Sequence, residues 1–212
     1  NYPGSELAPE AIKSVQYSLM ALGRETEAID IANKYVATNP ESPFAPVFQK
    51  KIGEMFFQGK KYNDAITEFQ KFIEKHPSDE NTPEVMYLMA KSHINLNNPE
   101  KAIEIFDAIQ RTYPKSEWAP MAMLEKGLLY LDLANINKAD SILAEMTEKY
   151  PQSELSAQAG FERAIIRYRR GDTTSAIELF REVKRIFPET DWGDQSIYRI
   201  AMHYRANGQY DS

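Results

Sequence analysis

The sequence predicts an all-α solenoid of stacked antiparallel helix pairs, and two regular spacings carry that prediction. Prolines recur every 37 residues without a gap, at Pro3, Pro40, Pro77, Pro114, Pro151 and Pro188. Alanines recur at the same interval, at Ala28, Ala65, Ala102, Ala139 and Ala176. A fixed period of this length is typical of repeat arrays, in which each repeat packs against its neighbours. We therefore predict a single array over 1–212, with repeats at about 5–40, 42–77, 79–114, 116–151 and 153–188 and a partial repeat at 190–212.

Each repeat is predicted to begin with a helix, called helix A here. Two positions after the repeated proline stands a residue whose side-chain oxygen can accept a hydrogen bond from a first helical turn: Ser5, Ser42, Asp79, Ser116, Ser153 and Thr190. A second series of prolines falls in or beside that turn, where a missing N–H group is tolerated best: Pro9, Pro46, Pro83 and Pro120. Apolar residues at helical spacing follow, as in Phe161, Ala164, Ile165 and Tyr168.

The second half of each repeat is predicted to be another helix, called helix B. Turn residues separate it from helix A: Gly23, Gly59, Asn97, Asn135, Gly171 and Gly208. Helix B opens at the repeated alanine and continues with apolar residues at helical spacing, as in Ala65, Phe69 and Phe72. It ends before the repeated proline, which disfavours helical angles in the preceding residue. This pattern predicts about eleven helices, namely five pairs followed by one unpaired helix A near 190–207.

Composition narrows the classes of function. The chain has 42% hydrophobic and 26% charged residues, which is typical of a folded protein. A net charge of −6 argues against nucleic-acid binding, and the sequence has no apolar run long enough to span a membrane. The absence of cysteine excludes disulfides and thiolate sites. His76, His93 and His203 fall on separate predicted elements, and we predict no catalytic residue, no metal site and no cofactor.

Four positions in each repeat identify a resemblance. They are a small residue in helix A, alanine at the start of helix B, a large residue four positions later and proline twelve positions after the alanine, as in Gly127, Ala139, Leu143 and Pro151. This constellation resembles the tetratricopeptide repeat, and the resemblance implies a right-handed superhelical solenoid. The first repeat departs from it, with Gln16 in the small position and Ala32 in the large one.

The period of 37 is longer than the commoner tetratricopeptide repeat. The added residues form the segment from Pro114 to Pro120, which carries Trp118 in a large apolar position. This variant resembles repeats of bacterial envelope proteins, notably the BamD-like outer-membrane assembly lipoproteins and the Tol-Pal-associated coordinator. It implies a non-enzymatic scaffold in the periplasm or at the outer membrane, with the cytoplasm as the alternative. The sequence reads as part of a longer chain, and in that register we expect alanine to follow Ser212.

The resemblance also implies where a partner binds, because helix A lines the concave groove in this family. The groove residues it implies are Tyr87, Lys91, Leu124, Leu128, Leu131, Phe161, Ile165, Tyr168, Tyr198 and Met202. The alternative is that several of them pack between neighbouring A helices. Some family members bind chaperone tails through a set of cationic and amide side chains, and of the matching residues here only Lys13 fits. We therefore exclude that mode of binding.

Two further surfaces stand out. Arg163, Arg167 and Arg170 share one face of a predicted helix and could bind an anion, or they could be paired with carboxylates of the same chain. The unpaired last helix exposes an apolar face that could support a homodimer contact.

The expected partner is a protein or peptide whose identity the sequence does not disclose. Two other functions stay open: a structural spacer or self-association module, and a non-catalytic appendage of an enzyme outside this segment.

Overall fold

A computed structural model describes residues 8–208, and within them the chain is all-helical. The described part contains eleven α-helices and no strand, which confirms the predicted fold class. The A helices are α1 (Ala8–Ala21), α3 (Ala45–Gln58), α5 (Thr82–Asn95), α7 (Trp118–Asp132), α9 (Leu155–Arg169) and α11 (Asp191–Ala206). The B helices are α2 (Glu25–Thr38), α4 (Tyr62–Lys75), α6 (Pro99–Thr112), α8 (Ile136–Lys149) and α10 (Thr173–Ile186). Ser5 and the position after Ser212 lie outside the described residues.

The chain divides into two compact units, residues 1–105 and residues 106–212, with the boundary inside α6. In the first unit α2 packs against α1 and α3, and α4 packs against α3 and α5. In the second unit α8 packs against α7 and α9, and α10 packs against α9 and α11. Each B helix named here therefore lies between the A helix that precedes it and the one that follows, as expected for a repeat array.

The repeated proline determines where each B helix ends. α4 ends at Lys75 and α8 ends at Lys149, in each case two residues before a proline. The residues between helix and proline share one non-helical conformation, with φ from −136° to −123° and ψ from 53° to 60°: Asn39, His76, Tyr150 and Phe187. The steric conflict between a proline ring and a helical predecessor explains both the stop and its regularity.

The predicted caps of the A helices are only partly correct. Thr190 is the N-cap of α11, and its hydroxyl accepts a hydrogen bond from the Gly193 N–H at 3.2 Å. Ser42 instead accepts from the N–H of Phe44 at 3.2 Å, and α3 begins one residue after Phe44. The prediction that Ser42 caps the helix was wrong, because the longer repeat inserts a tight turn between the proline and the helix and the side chain closes that turn.

The turn from helix A to helix B has a left-handed residue in every repeat. Its φ lies between 56° and 82° at positions spaced by 37 residues: Gly23, Lys60, Asn97, Ala134, Gly171 and Gly208. Gly59, which the sequence marks as the turn glycine, has φ −73° and does not use the freedom of glycine. Three repeats thus place a residue with a Cβ atom in a conformation that favours glycine: Lys60, Asn97 and Ala134.

The core is built by the repeated small and large residues. Ala28, Ala65, Ala102, Ala139 and Ala176 are all fully buried. A Cβ atom added to Gly127 of α7 would lie 2.6 Å from Leu143 Cδ2 of α8, and one added to Gly53 would overlap the ring of Phe69. The small residue of helix A therefore accommodates the large residue that follows the helix-B alanine by four positions.

The first repeat reverses these sizes. Gln16 is buried in the position of Gly53 and Gly127, while Ala32 stands where the other repeats have a large residue. The Gln16 amide donates a hydrogen bond of 3.1 Å to the backbone oxygen of Ala28 on α2. The departure from the repeat pattern is thus a complementary exchange, with the polar end of the larger side chain satisfied.

Candidate functional site

Two of the predicted groove residues belong to the core. Leu124 is 5% exposed and Phe161 is 4% exposed. The Phe161 ring lies 5.4 Å from the Phe180 ring and 5.2 Å from the Trp192 ring, measured between centroids. These side chains hold neighbouring helices together. For these two residues the structure shows packing between helices and not a surface open to a partner.

The other predicted groove residues range from half-buried to exposed. Tyr87, Lys91, Leu128, Leu131 and Ile165 are half-buried. In contrast, Tyr168 is 44% exposed, Tyr198 is 62% exposed and Met202 is 43% exposed. In the second unit, the side chains available to a partner are therefore concentrated on α9 and α11.

Exposed apolar side chains lie on one kind of helix only. Among the described residues, every large hydrophobic side chain that is exposed lies on an A helix or within one residue of its end: Val15, Tyr17, Leu22, Phe44, Val47, Leu133, Tyr168, Ile197, Tyr198 and Met202. The B helices of that part of the chain have none. Aromatic and methionine side chains are enriched in protein interfaces, so the A helices have the composition of a contact surface.

A cleft of about 480 Å³ opens between α1 and α3 in the first unit. Its apolar lining includes the exposed Tyr17, Phe44 and Val47 and the more buried Met20 and Met55. The sequence did not single out this cleft, because α1 and α3 show lysine and glutamate at the positions where later repeats are apolar. Its apolar part comes from neighbouring positions on both helices, which only the packed pair brings together.

Three of the charged residues that line this cleft, Lys50, Lys51 and Glu54, form ion pairs. The Lys50 ammonium donates a 3.0 Å hydrogen bond to Asn81 and forms an ion pair with Glu84. Lys51 pairs with Glu54 at 3.0 Å. The cleft therefore offers an apolar floor with a rim whose charges are largely compensated, which favours an apolar side chain as the group it would take up.

The three arginines that suggested an anion site have partners within the chain. Arg167 pairs with Asp140 at 2.7 Å, and Arg170 donates to the Asn137 side-chain oxygen at 2.7 Å. Arg163 lies 3.6 Å from Asp140 and donates to the Thr147 hydroxyl at 3.3 Å. These side chains thus join α9 to α8, with a carboxylate beside Arg163 and Arg167 and an amide beside Arg170.

Three other arginines have no ion-pair partner in the described part of the chain. The guanidinium groups of Arg169, Arg199 and Arg205 form no hydrogen bond or direct ion pair with another residue of 8–208. Burial raises the pKa of Glu162 above its ordinary value of 4.5, and the nearby charges of Arg169 and Arg199 only partly offset that effect. Sequence reasoning missed Arg199, since nothing in the repeat pattern separates a paired arginine from an unpaired one.

The histidines are dispersed. Within 8–208 no group of three or more histidine or carboxylate side chains is placed to hold a metal ion. Burial, followed by the charge of Lys101, lowers the pKa of His93, and His203 lies beside Tyr168 with 3.4 Å between the hydroxyl and Nδ1. None of the helices in the described part is long and apolar enough to cross a membrane.

Comparison with known families and structures agrees with this geometry. Residues 56–125 and residues 124–189 each match a family described as tetratricopeptide repeat. No curated protein matches the sequence.

Several solved structures share the fold. A tetratricopeptide repeat protein from Parabacteroides merdae is 18% identical, with a TM-score of 0.65 over 95% of this chain and 74% of that chain. MamA from Desulfovibrio magneticus is 15% identical, with a TM-score of 0.62 over 86% and 97%. A set of nearly identical TPR-like repeats from Podosopora anserina is 14% identical, with a TM-score of 0.61 over 88% of this chain and 96% of that chain. At these identities the similarity concerns the fold alone.

Proposed function

Because the chain is built of tetratricopeptide repeats, we propose that it is a non-enzymatic scaffold that binds a peptide or helix of a partner protein on its A helices. Repeats of this family bind protein partners and are generally non-catalytic. Within that class, the proposal names the surface used and the kind of ligand that fits it.

One observation carries the proposal: exposed large apolar side chains lie on or beside the A helices and are absent from the B helices of the described part. Random exposure would distribute such side chains over both helix types. The cleft between α1 and α3 has a volume of about 480 Å³ and an apolar floor, so it has room for one or a few peptide side chains. A helix or extended peptide that places apolar residues along the A helices would bury this surface.

Substitution of exposed A-helix residues tests this function. Immobilised wild-type chain and the variants Tyr17→Ala, Val47→Ala and Tyr168→Ala would be compared for capture of proteins from the source cells, with Glu178→Ala on α10 as the control. We expect at least one A-helix variant to lose about 1–3 kcal/mol of binding, which is about 5- to 150-fold in affinity. Equal capture by all variants would contradict the proposal that the partner binds on the A helices.

We further place this scaffold in the bacterial cell envelope, with the cytoplasm as the alternative. The support is the resemblance of the 37-residue repeat to those of outer-membrane assembly proteins. Fractionation of the source cells, with detection of this protein in each fraction, tests the proposal. Recovery in the periplasmic or outer-membrane fraction is expected, and recovery only in the cytoplasm would contradict it.

A further inference from the structure

A second cleft, with a volume of about 260 Å³, lies between α8, α9 and α10 in the second unit. One of its walls is apolar and comes from α10 and the residue that follows it, with buried Val183 and half-buried Leu179, Ile186 and Phe187. α8 packs against α7 and α9, and α10 packs against α9 and α11. The cleft is therefore bounded by helices that have neighbours on both sides.

A glycine beside this cleft takes the place of a large side chain in the preceding repeat. Gly160 of α9 stands 37 residues after Met123 of α7, and Met123 is fully buried in a cluster with Leu143 and Met146 of α8. A Cβ atom at Gly160 would lie 2.7 Å from Val183 Cγ2. The glycine thus leaves room that a methionine takes up in the preceding repeat, and any side chain there would push against the wall of the cleft.

The hydroxyl and guanidinium groups that line this cleft have contacts within the chain. The Ser156 hydroxyl donates a hydrogen bond of 2.7 Å to a backbone oxygen, and the Thr147 hydroxyl donates one of 2.8 Å. Arg163 donates to the Thr147 hydroxyl at 3.3 Å, and its Nε lies 3.6 Å from a carboxylate oxygen of Asp140. These groups are therefore directed to the protein and leave the carboxylates of the lining as the groups available to a ligand.

Two exposed carboxylates stand at the rim, Glu148 of α8 and Glu182 of α10, and their side chains form no hydrogen bond or ion pair with residues 8–208. The cations next to them in the sequence are directed elsewhere. The Lys149 ammonium lies 5.5 Å from the centroid of a tyrosine ring, and Lys184 pairs with a carboxylate of α11 at 2.8 Å. Arg185 stands three residues after Glu182 but does not line the cleft. The cleft thus combines an apolar wall with two available anionic acceptors.

The surroundings of the cleft favour a small molecule over a protein segment. A stable protein interface buries about 800 Å² on each partner, whereas the described B helices expose no large hydrophobic side chain around the cleft. A cavity of about 150 Å³ is enough to hold benzene. A cleft of about 260 Å³ therefore has room for one aromatic ring with a short chain.

We propose that this cleft binds a small amphipathic amine, in which an aromatic or branched alkyl group is joined to a protonated amino group. The apolar group would pack on Val183, Ile186 and Phe187. The amino group would donate charge-assisted hydrogen bonds to Glu148 and Glu182. Because solvent screens ion pairs at an exposed rim, the apolar contact supplies most of the affinity and the carboxylates select the head group. This inference goes beyond the proposed function and does not depend on it.

Three probes with the same ring and chain length test the charge preference: 3-phenylpropylamine, 3-phenylpropanol and 3-phenylpropanoate. Each would be titrated into the full chain while the methyl NMR signals of Leu179, Val183 and Ile186 are followed. We expect the amine to bind with a dissociation constant on the order of 1 mM, as suits a ligand of about ten non-hydrogen atoms. The alcohol should bind more weakly, and the carboxylate about fivefold more weakly than the amine.

A pair of glutamate variants locates the head group. Glu148→Gln with Glu182→Gln should weaken binding of the amine about three- to fivefold and leave binding of the alcohol nearly unchanged. The matched control is Glu145→Gln with Glu178→Gln, which removes the same charges from exposed positions of the same two helices outside the cleft. The control should bind all three probes as the wild-type chain does.

Gly160→Met tests the cleft itself. The methionine would enter the opening and displace Val183, so all three probes should lose binding. Because this change also overpacks the contact between α9 and α10, its thermal unfolding would be measured first. The exposed glutamate variants leave the wall of the cleft intact, so they decide the question if the methionine variant does not fold.

Three results would overturn the inference: no methyl shift with about 10 mM amine, equal affinity for the amine and the carboxylate, or a loss in the control pair as large as in the cleft pair. Shifts confined to the methyl groups of Met20 and Met55 would place the ligand in the cleft between α1 and α3 and would also contradict it. None of these results bears on the proposed function, because capture of partners through Tyr17 or Val47 involves other helices.

Discussion

Lys60 and Ala134 occupy the left-handed position of the turn between helices A and B, with φ 58° and 56°. The equivalent residue in three other repeats is glycine. A side chain in this conformation costs about 1–2 kcal/mol, whereas glycine adds about 0.5–1 kcal/mol of backbone entropy to be lost on folding. The steric term is the larger, so glycine should be the better residue here.

Lys60→Gly and Ala134→Gly are therefore expected to raise the free energy of unfolding by about 0.5–1 kcal/mol each. Urea denaturation followed by circular dichroism measures the change. Gly171→Ala is the matched control, with an expected loss of about 0.5–1 kcal/mol for the same two reasons. A loss of stability in both glycine variants would contradict the left-handed assignment.

Glu162 supplies a pH-dependent prediction. Its folded-state pKa is raised above 4.5 mainly by burial, so the charged carboxylate is better accommodated in the unfolded chain. The resulting destabilisation is present above the folded-state pKa and vanishes below the ordinary value, where both states are protonated. Glu162→Gln should thus stabilise the protein at pH 7, and the gain should disappear as the pH falls towards 4. A gain that persists at pH 4 would show that another effect is responsible.

At the scale of single residues, the sequence predicted burial of the repeated alanines but not the conformation of Lys60. The alanines hold one register over five repeats, and that register alone implies one packed environment. The turn glycine, in contrast, stands at position 59 in the second repeat while the left-handed residue is at 60. The residue type favours Gly59 for the left-handed conformation, but the end of α3 at Gln58 puts that conformation on Lys60.

At the scale of helices, the complementarity of a small residue on helix A with a large residue on helix B holds each pair together. Gly127 lies under Leu143, and any Cβ at that position would meet its side chain. The pattern of four positions predicted this pairing of helices. It could not predict that Leu124 and Phe161 are core residues. Spacing along a helix gives the direction of a side chain but not how deeply neighbouring helices bury it.

Gly127→Ala is expected to lower the free energy of unfolding by about 1–3 kcal/mol through overpacking. Leu143→Ala alone should lower it by about 2–5 kcal/mol through the cavity it leaves. Introduced into Leu143→Ala, the Gly127→Ala change should cause little further loss, because the group it collides with is gone. A double-mutant cycle measures this coupling, and strict additivity would mean that the two residues do not pack together.

At the scale of the whole chain, the two kinds of helix have different surfaces. Each unit exposes large apolar side chains on or beside its A helices, and the described B helices expose none. The sequence predicted the A helices as the binding side through resemblance to a family. It placed the best candidates in later repeats and missed the cleft between α1 and α3, whose lining depends on how two helices approach each other.

The claim that partners bind the A helices and not the B helices is tested most directly by photo-crosslinking in the source cells. A benzophenone side chain would replace Tyr17 or Tyr168 on A helices and, as matched exposed positions on B helices, Gln70 or Glu178. We predict crosslinks to a partner protein from at least one A-helix position and none from the B-helix positions. Crosslinks from Gln70 or Glu178, with none from Tyr17 and Tyr168, would contradict the account.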